Sequence, residues 1–164
     1  FLPTRQALAL LGPLPEPEVL APALLASLDA TFRSGLHRFP DAVDTLAASE
    51  RAGVPLAVAS ASARSRLNLT LNSAGLAHRF SASVAGDEVL NGKPAPDVYL
   101  RAAHLLGVDP VHCIAIEDSP IGAQSAVAAG MRTIGIVRRA QDRDALTAAG
   151  AEVVEVLTGD VLGL

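Results

Sequence analysis

The sequence predicts an α/β fold, a parallel sheet with helices on both faces. Three observations predict it. From Pro55 onward, short apolar runs alternate with helical segments of about a dozen residues, the pattern of strands that run parallel and are covered on both sides. The helical segments end at glycines: Gly53, Gly75, Gly107, Gly130 and Gly150. The residues before Pro40 hold no strand candidate, so an all-helical part precedes the sheet.

The elements follow in order. Thr4 can cap a short helix over 4–11, which Gly12-Pro13 ends, and the Pro-rich link GPLPEP follows. Val19, Leu20, Leu24, Leu25, Leu28 and Phe32 recur at helical spacing, which predicts a helix over 18–32 stopped by Ser34-Gly35. Another helix spans 40–52, with Val43, Leu46 and Ala47 on one side. The boundary between the helical part and the sheet domain is placed at 37/38, giving domains 1–37 and 38–164. PLAVA (55–59) is a buried strand between Gly53 and Ser60, and 62–74 is an amphipathic helix. A weaker strand covers 81–85, and a polar loop with an Asn91-Gly92 turn covers 87–93. Then come a helix over 96–106, a strand over 113–116, a helix over 119–129 and a strand, TIGIV, over 133–137. A helix over 142–149 and a strand over 153–156 complete the set.

Bulk properties exclude several classes. A chain of 164 residues, 50% hydrophobic and 18% charged, is long enough and apolar enough for a real core. The net charge is −4 and basic residues do not cluster, which argues against a nucleic-acid or membrane partner. The single cysteine, Cys113, sits in an apolar run and reads as a structural thiol in a reducing compartment, so a cytoplasmic location is the expectation, with a monomer as the default. No apolar run reaches membrane-span length, and the start, FLPTRQALALLG, is too short for a secretory signal. The chain begins at Phe1, which suggests residues upstream. His37, His78, His104 and His112 are scattered and suggest no metal site. No G-x-G-x-x-G or G-x-x-x-x-G-K-[ST] occurs.

The chemistry-bearing stretch is VHCIAIEDSPIGAQSAVAAG, residues 111–130. A short apolar strand runs into two adjacent carboxylates, Glu117 and Asp118, and Ser119-Pro120 opens an Ala-rich helix. Acids at the carboxyl end of a parallel strand stand where open α/β sheets place ligands. Neighbouring carboxylates repel unless compensated, and Mg²⁺ is a hard, oxygen-seeking answer. Simple capping by Asp118 and Ser119, with Glu117 in water, accounts for the same residues. Ser60 ends the strand PLAVA just before a helix start, which makes an anion site; capping by Ser62 is the alternative. Lys93 lies in NGKPAPDVYL, where Pro94 and Pro96 stiffen the loop and aim its charge, as a phosphate would require. An exposed surface lysine is the other reading.

Together these residues form an order: hydroxyl, lysine, acid pair. In VASAS, GKPAPDVYL and IEDSPIGAQSAVAAGM, the stretch from Ser60 to Val137 resembles the second, third and fourth motifs of the haloacid dehalogenase (HAD) superfamily. It is most similar to the helical-cap branch that includes β-phosphoglucomutase and phosphoglycolate or sugar-phosphate phosphatases. The resemblance implies a HAD-like, Rossmann-like three-layer α/β core with the remnant of an all-helical cap. It implies that Ser60 and the Ala61 N–H hold phosphoryl oxygens, that Lys93 neutralises phosphate charge and steadies the nucleophile, and that Glu117 and Asp118 hold Mg²⁺. Arg5 falls where related caps carry a substrate-contacting arginine, on a short match that a surface arginine explains as well. Pro40-Asp41 stands where the family often has Pro-Gly, a change of turn with no evident chemistry.

One family feature is absent. The nucleophile is the first Asp of a D-x-D-x-T-type motif on the first, central strand, and no such motif is present. The only D-x-D, Asp142-Arg143-Asp144, opens a predicted helix, with Asp142 as its cap and Asp144 as a first-turn acid. Five or so apolar side chains of a central strand, at ~1.5–3 kcal/mol each, amount to roughly 8–15 kcal/mol. That rivals a typical domain's whole stability of about 5–15 kcal/mol. The expectation is therefore a fragment lacking its first central strand, poorly stable and without phosphatase turnover, which a melting curve and a phosphate-release assay check. The parent protein reads as a Mg²⁺-dependent phosphatase of a small phosphorylated metabolite, such as a sugar phosphate or phosphoglycolate, working through an upstream aspartyl-phosphate. A phosphosugar mutase and a non-catalytic phospho-metabolite binder are the other readings.

Overall fold

A computed structural model of the chain describes Ala30 and residues 36–164. The helices expected over 4–11 and 18–32, apart from Ala30, and Arg5 lie outside the described residues. The chain divides into two compact units, Phe1–Leu36 and His37–Leu164, and the second carries the sheet.

Helix α1 is Pro40–Arg51 and strand β1 is Ala57–Ala59; α2 is Arg64–Ser73 and β2 is Ala82–Val84. Helix α3, Asp97–Leu106, ends at Gly107, which takes the left-handed conformation at φ 68°. Strand β3 is Ile114–Glu117, α4 is Pro120–Ala128, β4 is Arg132–Ile136, α5 is Arg143–Ala148 and β5 is Glu152–Val154. A last short helix, α6, Gly159–Leu162, carries no apolar periodicity long enough to be read from sequence.

All strand pairs are parallel. β1 pairs with β2, and β3, β4 and β5 form a second group in that order. Side chains alternate along each strand and define three layers. On one face, α3 and α4 pack on Ala57, Ala59, Val84 and Ala115, and α5 joins through Leu146 and Ala149. On the other, α1 and α6 cover Ile134 and Ile136 through Ala42, Val161 and Leu162. The first face is built largely of alanines, so α3 and α4 sit close to the sheet. Ile134 and Leu146 are fully buried, each worth about 1.5–3 kcal/mol of transfer free energy.

β1 and β3 do not pair with each other. Between them lies a cavity of about 570 Å³, lined by both strands and by Thr45, Ser49 and Tyr99. Ile114 and Ile116 of β3 remain 39% and 38% exposed, although they point to the face that buries Ile134 in the next strand. Thr45 Oγ1 is buried without a partner among the described residues. The resemblance puts a central strand in this position, and among the described residues none fills it.

Three local expectations are corrected. Ser62 does not cap α2: the N-cap position is Ala63, with no side-chain cap, and Asp87 supplies the acceptor instead, taking the Arg64 N–H at 2.9 Å from another loop. Asp142 does stand at the N-cap position of α5, but its side chain makes no capping bond and is held by Arg139 at 2.6 Å. Asp41, at the Pro40-Asp41 turn, is an anchor: it accepts two hydrogen bonds from Arg138 at 2.9 and 3.0 Å, and a third from the Leu157 N–H at 3.1 Å. A carboxylate partner 97 residues away leaves no local pattern in the sequence.

The Arg138 guanidinium, with help from the Leu157 and Ala42 N–H groups and against the opposing effect of burial, holds the Asp41 carboxyl below its ordinary value of 3.8. A depressed carboxyl stabilises the fold above its unfolded pKa and loses that effect as pH falls through the folded value. Asp41→Asn is expected to cost about 1–2 kcal/mol at neutral pH and to flatten the decline in stability below about pH 4. Urea unfolding at pH 7 and pH 3 checks both.

Candidate active site

The carboxyl ends of β1 and β3 face one side of the molecule, and one side chain spans them. Lys93 Nζ donates to the Ala59 carbonyl at the end of β1, at 3.1 Å, and to Glu117 Oε1 at the end of β3. Its loop is fixed from both sides. Asp97 of α3 accepts from the Asn91 backbone and side chain at 3.1 and 3.0 Å, and Ser125 of α4 donates to the Ala95 carbonyl at 2.5 Å. The stiffness expected from Pro94 and Pro96 is thus reinforced by hydrogen bonds, and the Lys93–Pro94 peptide is cis. The lysine and glutamate side chains are only 10% and 9% exposed, so each charge needs the other.

Glu117 is fully engaged. Oε1 accepts from Lys93 and from the Tyr99 hydroxyl, and Oε2 accepts from Ser119 Oγ at 3.0 Å. Ser119 also caps α4, accepting the Gly122 N–H at 3.1 Å, as its position before Pro120 predicts. Burial first, then the Glu117 charge, pushes the Tyr99 hydroxyl far above its usual range, so it remains a donor. Asp118, by contrast, is exposed and makes no hydrogen bond or ion pair among the described residues.

Ser60 continues directly from Ala59. Its N–H bonds the Val84 carbonyl at 2.9 Å, and its Oγ accepts the Ser62 N–H at 3.1 Å. Ala61 is exposed and its N–H has no partner among the described residues. Arg64 ties this loop to the next strand. It bonds Glu88 at 2.8 and 2.6 Å and the Ser83 hydroxyl and carbonyl at 2.8 Å, and it holds the Glu88 carboxyl down to about 2.

Ser60, Ala61, Lys93, Glu117 and Asp118 therefore stand together at one end of the sheet, and Arg5 lies outside the described residues. Sequence reasoning missed Tyr99 and the role of Ser119 toward Glu117. A signal for Tyr99 existed: it is the chain's one tyrosine, set among apolar residues, and a buried phenol needs a partner. A second signal went unused. Of the 13 basic residues, Lys93 is the only lysine. Cys113 is a free thiol whose pKa burial raises, consistent with a structural role.

The donor chemistry fits a hard cation in part. No group of three or more metal-ligating side chains occurs among the described residues. One unengaged carboxylate, Asp118, beside an engaged one suits Mg²⁺, which is often held by one or two carboxylates with water and substrate oxygens completing its shell.

Comparison with known proteins points to one family. The haloacid dehalogenase-like hydrolase family profile matches residues 2–136. Hexitol phosphatase A of Escherichia coli K12 is 34% identical over 112 residues, 68% of this chain and 51% of that protein. Phosphoglycolate phosphatase of the same organism is 30% identical over 128 residues, 78% of this chain and 51% of that one. The chain thus spans about half the length of these relatives. A crystal structure of a candidate β-phosphoglucomutase from Thermotoga maritima superposes with a TM-score of 0.83 at 28% identity, covering 98% of this chain and 76% of that one. With strands, motifs and profile in agreement, the chain belongs to the haloacid dehalogenase-like hydrolase family.

Proposed function

We propose that this chain forms the phosphate- and metal-binding part of a Mg²⁺-dependent phosphate monoester hydrolase acting on a small phosphorylated metabolite, a sugar or hexitol phosphate or phosphoglycolate. The observation that carries the reading is the bridge made by Lys93 between the Ala59 carbonyl and the Glu117 carboxylate. It sets one ammonium between the Ser60 loop and the Glu117-Asp118 pair, so that an anion there meets a cation, a hydroxyl and the free Ala61 N–H together.

In this reading Ser60 Oγ and the Ala61 N–H receive phosphoryl oxygens. Lys93 neutralises their charge, and as a compact point charge it suits a site that must also release its product. Asp118 and Glu117 would hold Mg²⁺, directly or through water. The ion would supply charge neutralisation and a template for in-line displacement. In this reading the attacking carboxylate belongs to a D-x-D-x-T-type motif that this sequence lacks, and no step of the reaction is assigned to this chain's own acids. Names of the relatives support the substrate class: the two Escherichia coli proteins are phosphatases by name, and the Thermotoga protein's name keeps a mutase as the second reading.

The test is direct. Inorganic phosphate titrated calorimetrically into the chain with Mg²⁺ present should bind at one site, more weakly when Mg²⁺ is withheld. No phosphate binding under either condition would overturn the reading.

A further inference from the structure

We propose that Tyr99 is a positioning residue that keeps the Lys93 ammonium available to a phosphoryl group by taking over the Glu117 carboxylate. The inference deepens the reading of Lys93 as phosphate anchor and rests on it.

An ammonium has three N–H donors. In the structure all three have acceptors: the Ala59 carbonyl at 3.1 Å, Glu117 Oε1 and the Tyr99 hydroxyl oxygen at 3.3 Å. The ammonium also lies 4.8 Å from the centroid of the Tyr99 ring. A phosphate oxygen can bind Lys93 only by replacing one of these partners. The Ala59 carbonyl is fixed backbone, and the N–H given to the Tyr99 hydroxyl at 3.3 Å is aimed at a residue only 7% exposed, where a phosphate cannot follow. Releasing Glu117 is the costly choice, because that side chain is nine-tenths buried and a buried carboxylate oxygen without a donor is strongly disfavoured.

Tyr99 removes that obstacle. Its hydroxyl donates to the same Oε1 that Lys93 uses, and it is only 7% exposed, so water does not compete for it. Ser119 meanwhile holds Oε2. When Lys93 turns toward phosphate, both carboxylate oxygens keep a donor. The ring adds a second support, since its face can still carry the ammonium as it moves. Without the hydroxyl, Oε1 depends on Lys93 alone, and the lysine is trapped in an internal ion pair.

Two features make the test clean. Tyr99 is the only tyrosine and there is no tryptophan, so intrinsic fluorescence reports this residue alone. Tyr99→Phe keeps the ring and removes only the hydroxyl. Phosphate binding should weaken about tenfold in Tyr99→Phe, a change of about 1.4 kcal/mol. In a Glu117→Gln background, where no carboxylate charge is left behind when Lys93 turns to phosphate, Tyr99→Phe should have almost no further effect. A merely structural role would give the same loss in both backgrounds, because distant or general damage adds. In the unmodified chain, phosphate should change Tyr99 emission with the same dissociation constant as calorimetry, a readout that does not depend on any variant folding. Unchanged phosphate affinity in Tyr99→Phe, equal losses in both backgrounds, or emission indifferent to phosphate would each overturn the proposal. A Lys93→Met chain that binds phosphate as tightly as the unmodified one would instead show that the anchor reading itself is wrong, and this inference would fall with it.

Discussion

Replacing Gly122 by alanine is expected to destabilise the protein by about 3 kcal/mol or more and to weaken phosphate binding in the same variant. On an exposed helix the same change should stabilise by about 1 kcal/mol, because alanine is the better helix former. The sign is reversed here by one contact. A Cβ on Gly122 would lie 2.1 Å from Glu117 Cδ and Oε2 and 2.3 Å from Oε1. The carboxylate cannot step aside freely, because Lys93, Tyr99 and Ser119 hold it. Moving it breaks charge-assisted bonds worth about 1.5–3 kcal/mol each and leaves the Lys93 ammonium without its counterion. The check is a double variant. In Glu117→Ala the obstacle is gone, so adding Gly122→Ala should be neutral or stabilising. Equal destabilisation in both backgrounds would mean that the carboxylate is not what forbids a side chain at this position.

Gly86→Ala is expected to cost about 2–4 kcal/mol, and its effect should spread to the Ser60 loop. A Cβ there would meet the Ala61 carbonyl oxygen at 2.4 Å and its carbon at 2.8 Å. The opposing atoms are backbone, so no rotamer change relieves the overlap, and overpacking of this kind typically costs about 1–3 kcal/mol. The shift would also strain the Gly86 N–H bond to the Ser62 carbonyl, 2.8 Å long, worth roughly another 1 kcal/mol. Because Ala61 is the residue displaced, phosphate affinity should fall together with the denaturation midpoint. A variant that loses stability but binds phosphate normally would separate the two loops functionally.

Much of this arrangement could be read from the sequence because its cues are local. Gly107 after Leu106, Ser119 before Pro120 and the apolar run into Glu117 each act within a few residues, and the structure uses each as the pattern suggests. What could not be read depends on partners far apart in the chain. Asp87 caps a helix that begins 23 residues earlier, which displaced Ser62 from the part that spacing alone assigned to it. Asp41 and Arg138 meet only after the whole sheet has formed. Tyr99 reads as a core aromatic on its helix face; its hydroxyl gains meaning only when β3 brings Glu117 beside it. Glu117 reads from the sequence as an acid at the carboxyl end of its strand, in water or on a metal; that strand alternation also buries it on the same face as Ala115 needs the sheet to be seen.

Among the described residues the facing edges of β1 and β3 are unpaired, which predicts an inverted ranking of rigidity in the sheet. The Ser60 N–H is spent on β2, so by strand alternation the Ala59 N–H points into the gap. In most parallel sheets the innermost amides are the last to open to solvent, because neighbours shield them on both sides. Here the described residues leave the middle of the sheet shielded on one side only, while β4, flanked by two strands, becomes its true centre of protection. The end of the fold that carries the candidate site is thus joined across this seam by the Lys93 bridge above and by the packing of α3 on both strand groups below.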